Sequence, residues 1–172
     1  MNRSAGIIPF RDRLTADGNS TNELEFFVGS PWQSSNYAAF LKGSVEEGES
    51  IDETALREFR EESGLTLEDC ESQMLIPLGW VHQNSQKMVF AYGLHYPNID
   101  PEKCFSNLCP SGKPEIVKYA WMTYDELKDI TSRPHLQFYQ KLIKMAGYSF
   151  EEEHEDDDIE VVDNRIIIKN LV

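Results

Sequence analysis

Long apolar runs, cysteines and positive charge are all scarce in this 172-residue chain. No stretch reaches the roughly 18 consecutive apolar residues of a membrane-crossing helix, and the opening MNRSAGIIPFR lacks the apolar core and small-residue cleavage site of a signal peptide. No membrane partner and a cytoplasmic setting are the resulting expectations. The three cysteines, Cys70, Cys104 and Cys109, have neither a second pair nor a histidine cluster at metal spacing. Unpaired, reduced thiols are expected rather than a zinc site. Only 16 Lys and Arg stand against 30 Asp and Glu, a net charge of −14. Such a surface repels a phosphate backbone and argues against long DNA or RNA as the partner.

Half of that imbalance is local, because residues 149–172 carry nine acids and two basic residues. The organisation this suggests is a single catalytic domain over residues 1–148, a self-repelling acidic linker over 149–158 and a β-type extension over 159–172. In the extension, Ile159–Val162 and Arg165–Ile168 flank Asp163-Asn164. They could close as a hairpin or add strands to a neighbouring sheet, including that of a second copy in a homodimer.

Within the domain, Ser4–Phe10 and Glu23–Val28 read as strands joined across a polar Asp-Gly segment, and Tyr37–Leu41 as a brief extended run. The period then changes. Ile51, Ala55, Leu56 and Phe59 recur at helical spacing, with Ser50 and Glu53 placed for a capping box and Gly64 for a left-handed stop. Met74–Gln83 and Lys87–Tyr96 look like a long hairpin whose first strand is bent or at an edge, given Pro77 and Gly79. Glu115–Tyr124 is extended again, Thr123 or Asp125 caps a short helix, and Leu136–Met145 forms a last helix burying Phe138, Leu142 and Met145. This order gives an α+β core with helices packed on a mixed sheet.

The chemistry concentrates on the central helix. Glu58, Glu61 and Glu62 lie three and four residues apart, so their carboxylates share one face while Phe59 points elsewhere. Close carboxylates suit a hard divalent cation such as Mg²⁺ or Mn²⁺. Acid clusters are also common on solvated helix faces, so the surrounding sequence has to decide. From Gly43 to Leu65 it reads GSVEEGESIDETALREFREESGL, with Gly43, Glu49, Arg57, Glu58, Glu61, Glu62, Gly64 and Leu65 in fixed register. This segment resembles the Nudix signature, with Phe59 standing where an aliphatic residue is commoner.

The resemblance implies a Nudix-type α/β/α sandwich and a Mg²⁺-dependent pyrophosphohydrolase. Its substrate would be a small nucleotide: a nucleoside diphosphate linked to another group. Carried onto this chain, the family's roles make Glu58, Glu61 and Glu62 metal ligands or water orienters, with the Gly43 carbonyl as a further ligand. Glu49 pairs with Arg57, which positions the acids, and Gly64 closes the helix. Glu115 resembles an extra downstream glutamate of some relatives; the alternative is a surface acid at a strand start. Lys42 either neutralises phosphate or faces solvent, and Trp80 and Tyr37, with Trp32 and Phe105, are candidates to stack on a base.

Substrate markers inform by absence. Gly79 and Trp80 stand where members acting on ADP-ribose often have Pro, and Val81 and His82 where diadenosine polyphosphate hydrolases often have Tyr. A nucleoside triphosphate or dinucleoside polyphosphate is the expected substrate. The alternatives are an ADP-ribose or sugar-nucleotide pyrophosphatase and a non-enzymatic nucleotide-binding or regulatory module. Densely phosphorylated substrates need basic surface, which Lys42 gathered with Lys87, Lys113 or Lys118 in one pocket would supply.

Overall fold

A computed structural model describes residues 1–67 and 74–151, together with the backbone of 159–162 and 165–168. The first strand, β1 (Asn2–Leu14), is the hub of the sheet. Along one edge it pairs in parallel with β5 (Lys87–His95); along the other it pairs antiparallel first with β3 (Leu41–Ser44) and then with β2 (Ser20–Pro31). Two further antiparallel strands, β4 (Ile76–Asn84) beside β5 and β6 (Ile116–Thr123) beside β2, complete a six-stranded mixed sheet in the order β4-β5-β1-β2-β6.

Both faces of this sheet are covered, which is why β1 runs apolar through Ala5, Ile7 and Ile8 rather than alternating with polar residues. Helix α1 (Ile51–Ser63) buries Ala55 and Phe59 against Ala5, Ile7, Phe27, Leu41 and Leu94. On the opposite face, α3 (Leu136–Met145) buries Phe138, Tyr139, Leu142 and Ile143 against Ile8, Phe26, Phe40, Leu78, Val89 and Ala91. A short α2 (Tyr124–Leu127), capped by Thr123, turns the chain from β6 toward α3. The result is the α+β sandwich expected from the order of elements.

The capping box at Ser50 and Glu53 is formed, and Gly64 ends α1 in the left-handed region at φ 71°, its N–H donating to the Arg60 carbonyl at 2.8 Å. β4 is an edge strand whose register slips between Pro77 and Gly79, as those two residues suggested.

Two expectations need correction. Strand β3 contains Lys42 and Gly43 rather than ending before them, because the backbone of Ser4–Ile7 pairs with residues 41–44. Met145 is 63% exposed: the buried stripe of α3 passes through Tyr139 and Ile143, next to Phe138 and Leu142, which turns Met145 toward solvent.

The terminal segments Ile159–Val162 and Arg165–Ile168, β7 and β8, pair with each other antiparallel in a separate two-stranded sheet. This is the pairing of the hairpin option. Cys70, most of the acidic stretch and the Asp163-Asn164 link lie outside the described residues.

Candidate active site

Strand β3 and the last two turns of α1 are held together by one arginine. The Arg57 guanidinium donates through Nε and Nη2 to the two carboxylate oxygens of Glu49, at 2.6 and 3.0 Å, and through Nη2 to the Ser44 carbonyl at 2.9 Å. Its Nη1 reaches Glu58 at 2.7 Å and Glu61 at 3.2 Å. A planar fork with five N–H groups can serve all these acceptors at once, as an ammonium cannot. The bonds from Arg57 hold the Glu49 carboxyl down at about 2. Glu49 also accepts from Thr54 Oγ1 at 2.7 Å, which fixes the loop before the helix.

The acids themselves are drawn against the sheet. Glu58 and Glu62 are 9% and 8% exposed, whereas the Glu61 side chain keeps 38% of its surface. Gly43 makes that approach possible: a Cβ there would stand 2.1 Å from the Glu58 carboxylate. Glu62 accepts from the backbone N–H of Lys42 at 2.8 Å.

Burial raises the proton affinity of both carboxyls; repulsion from Glu61 and Glu115 adds to it at Glu58, and repulsion from Glu58 and Glu115 at Glu62, which is pushed up to about 8. Among the described residues no three acids enclose a single point, since Glu58 and Glu61 are turned to Arg57 and Glu62 to the Lys42 N–H. The donor set nevertheless fits a hard divalent cation: close carboxylates short of compensating charge, against a strand where only glycine leaves room.

Glu115 joins this group from a different element, by a route that the sequence did not reveal. The loop between residues 104 and 115 caps the C-terminal end of α1, where helical carbonyls lack intrahelical partners. Phe105 N–H donates to the Ser63 carbonyl at 3.0 Å, Asn107 N–H to that of Glu61 at 2.8 Å, and the Tyr119 hydroxyl to that of Glu62. The Phe105 ring lies over Gly64, where a Cβ would meet it at 2.6 Å.

In the orientation that satisfies both ends of its amide, Asn107 donates to the Glu115 carboxylate and to Ser106 Oγ, each at 3.1 Å, and to the Glu61 carbonyl at 3.3 Å. The charge of Glu115 is felt at Glu58 and Glu62. Asn107 is thus a tether that the sequence reading passed over. Its only advance signal was its place in a loop rich in Pro, Ser and Gly.

The proposed base-stacking residues are dispersed. Trp80 packs edge-on against Phe90 at 5.2 Å, and Phe90 in turn meets Tyr92 at 4.8 Å. Tyr92 feels the charge of Asp52 in the first turn of α1. Trp32 lies beneath the Lys113 ammonium, 4.3 Å away, and Phe105 covers Gly64. The Tyr37 hydroxyl lies beside Thr131 and Ser132, on the loop that leads to α3. Lys42 is half-buried and interacts with Glu58, Glu62 and Lys87; Lys118 is exposed on β6. His135 is fully buried beside Phe40, at 5.4 Å between ring centres, and had no role in the sequence reading.

A two-layered helical cover on a mixed sheet, with a loop–helix unit presenting three glutamates to one strand, defines the class of protein. Residues 5–143 match the NUDIX domain model, and the chain belongs to the Nudix family. It is similar to "Nudix hydrolase 18, mitochondrial" of Arabidopsis thaliana, at 33% identity over 125 residues, and spans 65% of that protein's length and 72% of its own. A solved C. elegans Ap4A hydrolase binary complex superimposes with a TM-score of 0.58 at 18% identity, over 86% of this chain and all of that one. The NUDIX domain of Shewanella oneidensis NrtR, complexed with ADP ribose, gives 0.57 at 13% identity, over 83% and 86%.

The raised proton affinity of Glu62 has a measurable consequence. Between about 4.5, its ordinary value, and about 8, the folded chain holds a proton that the unfolded chain has released. Stability therefore falls as pH rises through that window. Without divalent cations, the contribution of Glu62 should weaken the fold from pH 5.5 to pH 8 by on the order of 2 kcal/mol, or about 4–8 °C in Tm. Thermal melts of the wild type and Glu62→Gln in EDTA isolate this effect. The wild type should show the extra slope and saturating Mg²⁺ should flatten it; parallel slopes for the two proteins would mean that Glu62 titrates as a solvated acid.

Proposed function

We propose that the chain is a Mg²⁺-dependent pyrophosphohydrolase, able to use Mn²⁺ as well, acting on a small nucleotide in which a diphosphate joins a nucleoside to a further group. The observation that carries this reading is the packing of the Glu58 and Glu62 carboxylates against the glycine strand, with Glu61 and Glu115 beside them. Glu58, Glu61, Glu62 and the Gly43 carbonyl would hold the cation. When bound, it would neutralise the diphosphate and make water easier to deprotonate.

Hydrolysis joins a water oxygen to phosphorus and breaks the bridging P–O bond. The leaving phosphate keeps the bonding pair, and the proton of water passes to a carboxylate. Glu115 suits that last role: its carboxylate is held by Asn107 and it stands beside Glu58 and Glu62. Lys42, whose backbone fixes Glu62, would add ammonium charge for a substrate phosphate. Arg57 is a positioning residue, since its N–H groups are bound to Glu49, Glu58, Glu61 and Ser44.

A nucleoside triphosphate or dinucleoside polyphosphate is favoured over ADP-ribose or a sugar nucleotide, because lysine charge lies next to the acids. The test is a hydrolysis screen over these four classes in ¹⁸O-labelled water, with Mg²⁺ and with EDTA. Release of a nucleoside monophosphate from one class, with label in a single product and none released in EDTA, is expected. A folded protein that binds a nucleotide under Mg²⁺ but releases nothing across the panel would instead be a binding module.

A further inference from the structure

The strand order of the main sheet ends in β4 on one side and β6 on the other. An open edge presents a row of N–H and C=O groups to any chain able to pair with it, and folded proteins blunt such edges with proline, bulges, charge or a cover. β4 is blunted: it contains Pro77, and its register slips between Pro77 and Gly79 and again between His82 and Asn84. β6 is not. From Lys118 to Thr123 its register with β2 is unbroken, it has neither proline nor glycine, and Lys118 is its one charged residue.

The exposure of β6 matches. Tyr119, Ala120, Trp121 and Met122 are only partly buried, whereas Ser4 to Pro9 of the central β1 are fully buried, and Val117 is 49% exposed. Val117 and Tyr119 line, with Pro101 and Phe105, a groove of about 430 Å³ beside the strand. Beyond the pairing with β2, the one main-chain hydrogen bond of residues 116–122 among the described residues runs from the Ile116 N–H to Ser106 Oγ, at 3.2 Å.

The C-terminal hairpin has the complementary deficiency. β7 and β8 pair with each other in a sheet of their own, and a two-stranded ribbon alone is marginal in water. Apart from Glu160 and Arg165, every paired residue is Ile or Val, residues that favour a strand packed on neighbours.

The path of the chain brings this hairpin to β6. Phe150 packs on Tyr124, the residue that follows β6, with ring centres 5.2 Å apart. The chain therefore leaves the domain at the C-terminal end of β6. The eight steps from Glu151 to Ile159 reach at most about 26–29 Å, and the eight residues of β6 span about 27 Å. Four strand spacings, about 19 Å, separate β4 from β6, so reach alone admits either edge. The proline and the two slips of β4 decide for β6.

We propose that the β7–β8 hairpin of this chain seats on the open edge of β6, with β7 antiparallel to it, and extends the main sheet. Antiparallel pairing lets β7 begin where the chain leaves the domain. The contact answers both deficiencies, giving β6 a main-chain partner and the ribbon a third strand.

Amide hydrogen exchange resolved by residue, with light scattering for the oligomeric state, tests this on the full chain. Neighbouring residues of a strand point their N–H groups to opposite edges, so Glu160→Pro/Val161→Pro removes a donor from each edge of β7. The wild type should be a monomer in which the amides of Val117–Met122 that point away from β2 exchange at least about ten times more slowly than in an unstructured chain. The proline variant should speed those amides about tenfold or more, leaving the amides of β1 unchanged, and Glu160→Thr/Val161→Ile should behave as the wild type. Unprotected outward amides in the wild type would overturn the docking whatever the variants do, as would equal protection in the wild type and a folded proline variant. A dimer that the prolines dissociate, with the same gain in exchange, would assign the edge to the hairpin of a second copy and overturn docking within one chain.

Discussion

Replacing Glu62 by Gln should lower kcat by about 10³-fold, close to 4 kcal/mol of transition-state stabilisation, while leaving the fold intact or firmer. Gln keeps the shape of the side chain and an oxygen that can accept from the Lys42 N–H, as Glu62 does at 2.8 Å. What it removes is a negative charge from a site that is 8% exposed and already crowded by Glu58. That charge costs stability when nothing neutralises it, and in the proposed function it is what would hold the cation. At pH 8 in EDTA the variant should melt higher than the wild type, and in Mg²⁺ the order should reverse. Steady-state kinetics with melts in both conditions check the pair of effects. A variant that loses activity and stability together in EDTA would point to a structural role for Glu62 instead.

The second large effect is expected at Arg57. Arg57→Lys keeps the charge but loses the planar fork that reaches Glu49, Ser44, Glu58 and Glu61. One ammonium cannot span those acceptors, so the Glu46–Glu49 loop and the acids lose their common anchor. The Arg57 and Glu49 side chains are 16% and 19% exposed, so the pair is partly shielded from solvent. Breaking it should cost about 2–3 kcal/mol of stability, less than for a fully buried pair. Activity should fall about 10²-fold, mostly in kcat, since misplaced ligands affect the chemical step more than capture of substrate. A change confined to KM would indicate that Arg57 touches substrate phosphate, against the bonding seen here.

Local rules made much of the frame legible. The capping box at Ser50, the left-handed Gly64 and the apolar stripe through Ala55 and Phe59 are short-range properties, and each appears where the spacing placed it. The edge character of β4 followed likewise from Pro77 and Gly79. Long-range pairing was not legible in the same way. The extension of β1 to Asn2 and Leu14, and the inclusion of Lys42 and Gly43 in β3, depend on which backbones meet across the sheet.

The site divides along the same line. Glu49, Arg57, Glu58, Glu61 and Glu62 sit in one contiguous motif, so spacing alone brings them to one helix and its preceding loop. Glu115 arrives through a loop fastened by Asn107. No periodicity encodes such meetings. Trp80 packs on Phe90 across β4 and β5, another contact that periodicity does not encode.

The most direct test of the cation site is titration of the purified protein with Mn²⁺, following the free ion by electron paramagnetic resonance, in the wild type and in Glu58→Gln/Glu62→Gln. The wild type is expected to bind Mn²⁺ in a manner that Mg²⁺ reverses, and the double variant to lose that binding by about 100-fold or more while keeping a cooperative melt. Equal Mn²⁺ binding by the two proteins would contradict the assignment of the buried glutamates as the ligands on which hydrolysis depends.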